Sequence, residues 1–213
     1  MGEKIVERTT IILAGNGSGR LGCDRGLAQL ANRPLIMHVV SRVQSIVDEV
    51  IVCLKDRSQI PSYSQILPKE CRIIADEEGL PECPLRGAYT GLMNARGGYS
   101  AILPCDTPFV SAGLIDLLFN AAAGVNAAVL RWPEGFIEPL QAVYRTEAAL
   151  RAARRAFEGG SYSMRAMISL LKGIRYISTL VVEKIDPKMH TFVNINAPLD
   201  LKRAETLAKR LLA

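Results

Sequence analysis

Apolar positions fall along the chain with two different spacings. The β-branched runs TTIILA (9–14), EVIVCL (49–54), CRIIAD (71–76) and SAILPCD (100–106) are short and bounded by turn-forming residues, which predicts buried strands. Between them the apolar positions recur every three or four residues. PLIMHVVSRVQSI (34–46) predicts a helix with Pro34 at its first position, where a missing N–H costs nothing. Further helices are predicted over 85–96 and 111–123. AAVLRW (127–132) and EPLQAVY (138–144) predict two more strands, with PEG (133–135) turning between them. Helices over 146–157 and 163–172, a strand ISTLVVEKI (177–185) and a last helix over 197–211 complete the pattern.

Strands regularly separated by helical segments predict a three-layer α/β/α, Rossmann-like architecture. Its sheet is mostly parallel, with a small antiparallel part. A chain of 213 residues with no linker, repeat or low-complexity stretch is expected to form one domain. Sheets of this kind bind ligands beyond the carboxyl ends of their strands. The glycine-rich segment after the first strand and LPCDTP (103–108) after a later one therefore meet at one crevice.

Composition narrows the ligand. Hydrophobic residues make up 49% and charged residues 22%, values of an ordinary globular protein and not of a disordered one. Lys plus Arg is 26 against 21 for Asp plus Glu, a net charge of +5. That modest surplus suits an anionic small molecule better than a nucleic acid, which calls for a clustered basic stripe with aromatics. The densest cluster, RAARRAF (151–157), has helical spacing and reads as a solvated helix face. Five cysteines, never spaced as C-x-x-C, predict free thiols in a reducing compartment and neither a disulfide framework nor a zinc site. The first ten residues lack the apolar segment of a signal peptide, Val6 breaks the myristoylation pattern, and no apolar run reaches a membrane span of about 18 residues. A soluble, cytoplasmic protein is expected.

LAGNGSGRLGCDR (13–25) contains G-x-G-x-x-G at Gly17, Gly19 and Gly22. A dinucleotide site needs that loop to open straight into a helix and an acidic residue at the end of the second strand. Neither is present: the next strong helical pattern waits until Pro34, and Asp56 lies too far on. A P-loop is excluded because Cys23 and Asp24 stand where Lys and Ser or Thr are required. The remaining reading is a wrap around a triphosphate. Glycines bring backbone N–H groups close to phosphate oxygens, and Arg20 and Arg25 add fork-shaped positive charge.

That wrap resembles the L-A-G-G-x-x-x-R-M-G-x-D-K signature of the nucleotidyltransferase superfamily, and within it the molybdenum cofactor guanylyltransferase family. Five further blocks resemble that family in order: RPLIMHVVSRV (33–43), CPLRGAYTGL (83–92), LPCDTPFV (103–110), EPLQAVY (138–144) and FVNINAPLDL (192–201). Three positions depart from it. Asn16 stands for a glycine, Arg25 for a lysine and Cys83 for a glycine.

The resemblance implies that an acceptor phosphate attacks the α-phosphorus of a nucleotide and expels pyrophosphate, which is the work of positioning and charge neutralisation. Arg20, Arg25 and Asp106 are the candidate catalytic residues. Asp106 is a hard oxygen ligand at a strand end, stiffened by Pro104 and Pro108, and is the candidate ligand of Mg2+ or Mn2+. It lies too far from the helix near Ser111 to cap it, and Ser111 can do so itself. Leu13, Ala14, Gly15, Asn16 and Gly17, with Arg20 and Arg25, are candidate nucleotide contacts. Asp76 joins them as a base or ribose contact, or else is a solvated turn residue. Asn194 and Asn196 alternate in a strand-like segment with Ile195 on the opposite face, and the resemblance places them near the acceptor. Glu138 and Arg165 are the other candidate acceptor contacts, while His38 and His190 fall outside the family's motifs.

Residues 9–110 are thus expected to bind the nucleotide and 111–213 the acceptor. The implied substrates are GTP and molybdopterin, with no nucleic acid or membrane partner and transient contact with molybdoenzymes or other cofactor-biosynthesis proteins. Two alternatives stay open. One is a relative with another base or acceptor, such as a cytidylyltransferase of the same cofactor or a guanylyltransferase of phospholactate or cobinamide phosphate. The other is a nucleotide-binding regulatory protein without turnover.

Overall fold

The computed structural model of the chain describes residues 7–14 and 21–212. Strand β1 (Arg8–Leu13) is followed, beyond a 3-10 turn at Arg25–Leu27, by a two-residue-per-side hairpin of β2 (Gln29–Leu30) and β3 (Arg33–Pro34), then by α1 (Leu35–Val43). The first half continues with β4 (Glu49–Leu54), α2 (Ile60–Ser64), β5 (Arg72–Ala75), α3 (Pro84–Asn94) and β6 (Tyr99–Pro104). The second half contains α4 (Ala112–Ala122), β7 (Ala127–Arg131), β8 (Ile137–Arg145), α5 (Thr146–Glu158), α6 (Met164–Ser169), β9 (Ile174–Ser178), α7 (Thr179–Ile185) and α8 (Pro198–Leu212).

Seven strands form one sheet in the order β5-β4-β1-β6-β8-β7-β9. β1 runs parallel to both β4 and β6, β4 parallel to β5, and β7 parallel to β9, while β8 is antiparallel to both of its neighbours. Alternation along β1 sends Ile12 to one face and Ile11 to the other. Ile12, Val52 and Leu103 pack with α1 and α4, whereas Ile11, Ile51 and Ile102 pack with α3, α5 and α6. Every residue of β4 is buried, which is why positions 50–54 are apolar without alternation, while Glu49 at its start is paired with Arg72 and Thr9. Helix α3 sits unusually close to β1, because Gly91 faces Ile11 with no room for a methyl group between them. On α5, Ala152, Ala153 and Ala156 are buried and Arg151, Arg154 and Arg155 are exposed, the solvated face expected of that cluster.

The main departure concerns 177–185. The strand starts earlier, at Ile174, and ends at Ser178, whose partner Arg131 is the last residue of β7. With no strand left to pair against, the chain turns helical. The Ser178 hydroxyl accepts from the Leu180 N–H, and of the following apolar residues Val182 is the one fully buried. Pro34 precedes α1 by one residue, since it pairs with Gln29 in the hairpin. Helix α6 stops at Ser169, ahead of the left-handed Gly173. Asn194 and Asn196 do not lie in a strand, although their alternation with buried Ile195 survives in an irregular segment. All five cysteines are free, with Cys53 and Cys105 buried and Cys23 exposed.

Candidate active site

β1 leaves the sheet between β4 and β6, where the connections diverge to opposite edges, and so opens a crevice at its carboxyl end. The Cys105 N–H donates to the Leu13 carbonyl at 3.1 Å and the Ala14 N–H to the Cys53 carbonyl at 2.8 Å, which locks the three strand ends together. Asp106 follows directly. It is 7% exposed, and its Oδ2 accepts from Arg25 Nη1 at 2.8 Å. Burial raises the Asp106 carboxyl above its ordinary range, while the Arg25 hydrogen bond and charge pull against that rise. Ser111 caps α4 by accepting from the Leu114 N–H, so Asp106 is free of that duty.

Arg25 is itself held from behind. Asp24 Oδ1 accepts from the Gly26 N–H and from the Tyr63 hydroxyl at 2.7 Å, and its Oδ2 accepts from Gln59 Nε2 at 2.6 Å. The same buried Tyr63 hydroxyl lies 3.2 Å from the Ala14 carbonyl. One phenol thus ties the end of β1 to the residue preceding Arg25, bracketing the glycine-rich segment from both sides. Gly26 packs against that hydroxyl, with no space for a Cβ. Tyr63→Phe leaves the half-buried Asp24 short of a donor and is expected to cost about 1–2 kcal/mol of stability. A calorimetric melting scan checks this; an unchanged melting temperature would show that the hydroxyl carries no load.

Asp76 follows β5, with its N–H donating to the Leu54 carbonyl at 2.7 Å. Its Oδ1 is buried and has no hydrogen-bond partner among the described residues, as does Arg86 Nε, which lies 3.7 Å from Oδ2. Burial pushes the Asp76 carboxyl up to about 6, against the opposing charge of Arg86. A Cβ at Gly87 would lie 3.2 Å from Leu13 Cδ2 and 3.3 Å from Asp76 Oδ1, so a glycine keeps the space beside both residues open. That leaves one buried carboxylate oxygen of Asp76 open beside a space that a glycine keeps clear.

On the other side of Asp106 lies a cleft of about 500 Å3. Arg25, Asp106, Glu138, Arg165, Asn194 and Asn196 all face it, so six of the predicted residues converge on one space. Leu13, Ala14 and Asp76 are not on its wall; they sit at the ends of β1 and β5. Gly15, Asn16, Gly17 and Arg20 lie outside the described residues. Glu138 is oriented by Trp132, whose indole N–H donates to Oε1 at 2.7 Å. Ser163 starts α6 by accepting from the Ala166 N–H, which presents Arg165 to the cleft. The Ile195 N–H donates to the Asp106 backbone carbonyl at 3.0 Å, so Asn194 and Asn196 flank the residue that braces Asp106. Gln141, Tyr162 and Phe192 also line the cleft and carried no signal in the sequence beyond their neighbourhood to motif residues. His38 instead bonds the Leu30 carbonyl, and His190 faces Asp186 at another surface.

Among the described residues no three Cys, His, Asp or Glu side chains cluster as a preformed metal cage. The donor set nevertheless fits a hard divalent cation. One buried carboxylate with an oxygen not taken by Arg25 is the sparse protein contribution used when substrate phosphates and water complete the shell.

A mostly parallel sheet with this crevice, and a carboxylate just past β6 paired with a guanidinium from the turn beyond β1, is an architecture that suits nucleotidyl transfer. The chain belongs to the MobA-like NTP transferase domain family, whose model matches residues 10–174. It is similar to a probable molybdenum cofactor guanylyltransferase of Methanosarcina mazei, 33% identical over 92% of this chain and 88% of that protein. Another relative of the same description, from Methanothermobacter thermautotrophicus, is 32% identical over 90% of this chain and 95% of its own length. Among solved structures, molybdopterin-guanine dinucleotide biosynthesis protein A from Archaeoglobus fulgidus shares the fold. The TM-score is 0.80 at 24% identity, covering 95% of this chain and 99% of that one.

Proposed function

We propose that the protein transfers GMP from GTP to molybdopterin and releases pyrophosphate. The observation that carries this reading is the Arg25–Asp106 pair, which stands between the strand ends that carry Leu13 and Asp76 and the cleft that gathers Glu138, Arg165, Asn194 and Asn196. A phosphate oxygen of the acceptor forms a bond to the α-phosphorus, and the bond from the α-phosphorus to the bridging oxygen of the leaving pyrophosphate breaks. Arg20 and Arg25 neutralise charge on the triphosphate and on that departing group. Asp106 would hold Mg2+ or Mn2+, which when bound would supply Lewis-acid charge to the phosphate oxygens, while Asn194 and Asn196 serve the acceptor. Glu138 and Arg165 orient the acceptor.

The base is set by Leu13, Ala14 and Asp76, with Gly15, Asn16 and Gly17 completing the loop. Guanine offers two adjacent donors, N1–H and the 2-amino group, and the Asp76 carboxylate, whose Oδ1 is open, is an acceptor of matching kind. Residues 9–110 accordingly serve the nucleotide and 111–213 the acceptor. No helix among the described residues is long and apolar enough to cross a membrane, in keeping with work in the cytoplasm. Transient hand-over of the product to molybdoenzymes or other biosynthetic proteins follows from that role.

Pyrophosphate release from GTP, CTP, ATP and UTP, each with molybdopterin and Mg2+, tests the reading. GTP is expected to be preferred in kcat/KM by about 100-fold or more, the discrimination of a site that pairs polar groups. Turnover with CTP alone would replace the guanylyl assignment with a cytidylyl one, and GTP binding without turnover would indicate a regulatory protein.

A further inference from the structure

Gln141 is a non-glycine residue held in the left-handed region, at φ 60°, inside the strand β8. Such a conformation persists only where the surroundings impose it. Here they do. The register between β7 and β8 shifts between Ala128, opposite Val143, and Leu130, opposite Glu138, so that several β8 residues bulge past a short stretch of β7. Gln141 lies within that bulge, buried to 4% exposure. Both ends of its amide are used by one residue: Nε2 donates to the Thr191 carbonyl at 2.6 Å, and Oε1 accepts from the Thr191 hydroxyl at 2.8 Å.

Thr191 is fully buried and uses every polar group it has. Its N–H donates to Asp186 Oδ2 at 2.7 Å, and its hydroxyl oxygen accepts from the Ser111 N–H at 3.1 Å. Four residues on, the Ile195 N–H is fixed to the Asp106 carbonyl. Asn194 lies between these two anchors and Asn196 just past the second. Phe192, next to Thr191, packs on Trp132 with ring centroids 5.2 Å apart.

We propose that Gln141 is a positioning residue for the acceptor, a latch from β8 that sets the 191–196 segment at the distance from Asp106 that acceptor binding needs. The backbone strain at 141 is the cost of bringing that amide to Thr191. This proposal rests on the acceptor reading given above. It concerns the placement of Asn194 and Asn196, and leaves the nucleotide side of the crevice untouched.

Gln141→Gly and Gln141→Asn test it together. Both replacements tolerate the left-handed backbone, and neither reaches Thr191 with a full amide. The KM for molybdopterin is expected to rise about tenfold or more, as for misplacement of a binding group, while the KM for GTP stays within about twofold. The melting temperature is expected to hold within about 3 °C, because relief of strain offsets the lost hydrogen bonds. Trp132, the one tryptophan of the chain, should become more open to acrylamide quenching as Phe192 shifts. A molybdopterin KM unchanged in both variants overturns the proposal, as does a parallel rise in both KM values with a fall in melting temperature. Should the wild-type protein fail to use molybdopterin, the functional reading falls. The quenching then decides the latch alone: increased accessibility upholds it and unchanged accessibility overturns it.

Discussion

Asp106→Asn is expected to lower kcat for pyrophosphate release by about 1,000-fold, with little change in melting temperature. The carboxylate stands 2.8 Å from Arg25, and its other oxygen is not used by Arg25. Among the described residues it is the carboxylate that bonds Arg25, so it is the acidic side chain nearest to phosphates that this arginine reaches. Replacing it removes the charge but keeps the shape. Stability should barely move because two effects oppose each other. Burial already disfavours the charged carboxyl, so neutralising it is a relief, whereas Arg25 loses its hydrogen-bonded partner. Direct titration with Mn2+ followed by electron paramagnetic resonance gives a reading independent of turnover, and the variant should bind the ion more weakly. A variant that retains turnover within tenfold of wild type, or binds Mn2+ equally well, would remove Asp106 from the metal site.

Asp76→Asn should separate stability from specificity. Burial holds the Asp76 carboxyl at about 6 against an ordinary value of 3.8, so between those values the folded protein binds more protons than the unfolded chain. Stability from this group is therefore present below the unfolded value and is lost as pH rises through about 6. The loss amounts to about 3 kcal/mol and comes from burial of the charged form, which the Arg86 charge offsets only in part. The amide carries no charge, so the variant should be more stable by about 1–2 kcal/mol at pH 7.5 and melt roughly 3–6 °C higher. The KM for GTP should rise about 100-fold, since an amide cannot accept two hydrogen bonds from guanine with a full negative charge. In the wild-type protein the same KM should climb as pH falls below about 6. A lower melting temperature in the variant at pH 7.5, or an unchanged KM for GTP, would contradict this assignment.

Much of the fold was legible because the sheet's centre is written in unbroken apolar runs. The inner stretches of β1, β4 and β6, residues 11–13, 50–54 and 101–103, are flanked on both faces and so are apolar without alternation, and helices of ordinary periodicity separate them. The edge was less legible. β9 and α7 share a β-branched stretch whose state is decided by where β7 runs out, a tertiary fact absent from local sequence. The β2–β3 hairpin escaped notice because its turn, Ala31 and Asn32, places an alanine in the left-handed region where glycine would have announced it.

At the site, residues inside motifs were found and residues behind them were not. Arg25, Asp106, Glu138, Arg165, Asn194 and Asn196 all reach one cleft. Tyr63 and Gln59 brace Asp24 from 39 and 35 residues away, and Gln141 braces Thr191 from 50. No spacing rule links such pairs, because they meet only after the sheet has brought distant strand ends together.

The closeness of α3 to β1 bears on how this protein can be engineered. Replacing a glycine inside a helix with alanine is a routine route to thermostability, worth about 1 kcal/mol where the site is open. Gly87 and Gly91 stand one turn apart on the face of α3 that touches β1, and the room they leave is already taken by Leu13, Ile11 and the Asp76 carboxylate. An added methyl at Gly91 has no room against Ile11 unless helix or sheet shifts, and one at Gly87 crowds Leu13 and the Asp76 carboxylate at 3.2 and 3.3 Å. The helix is thus held below its own best stability by the closeness of the sheet it packs on, and stabilising substitutions have to be sought elsewhere.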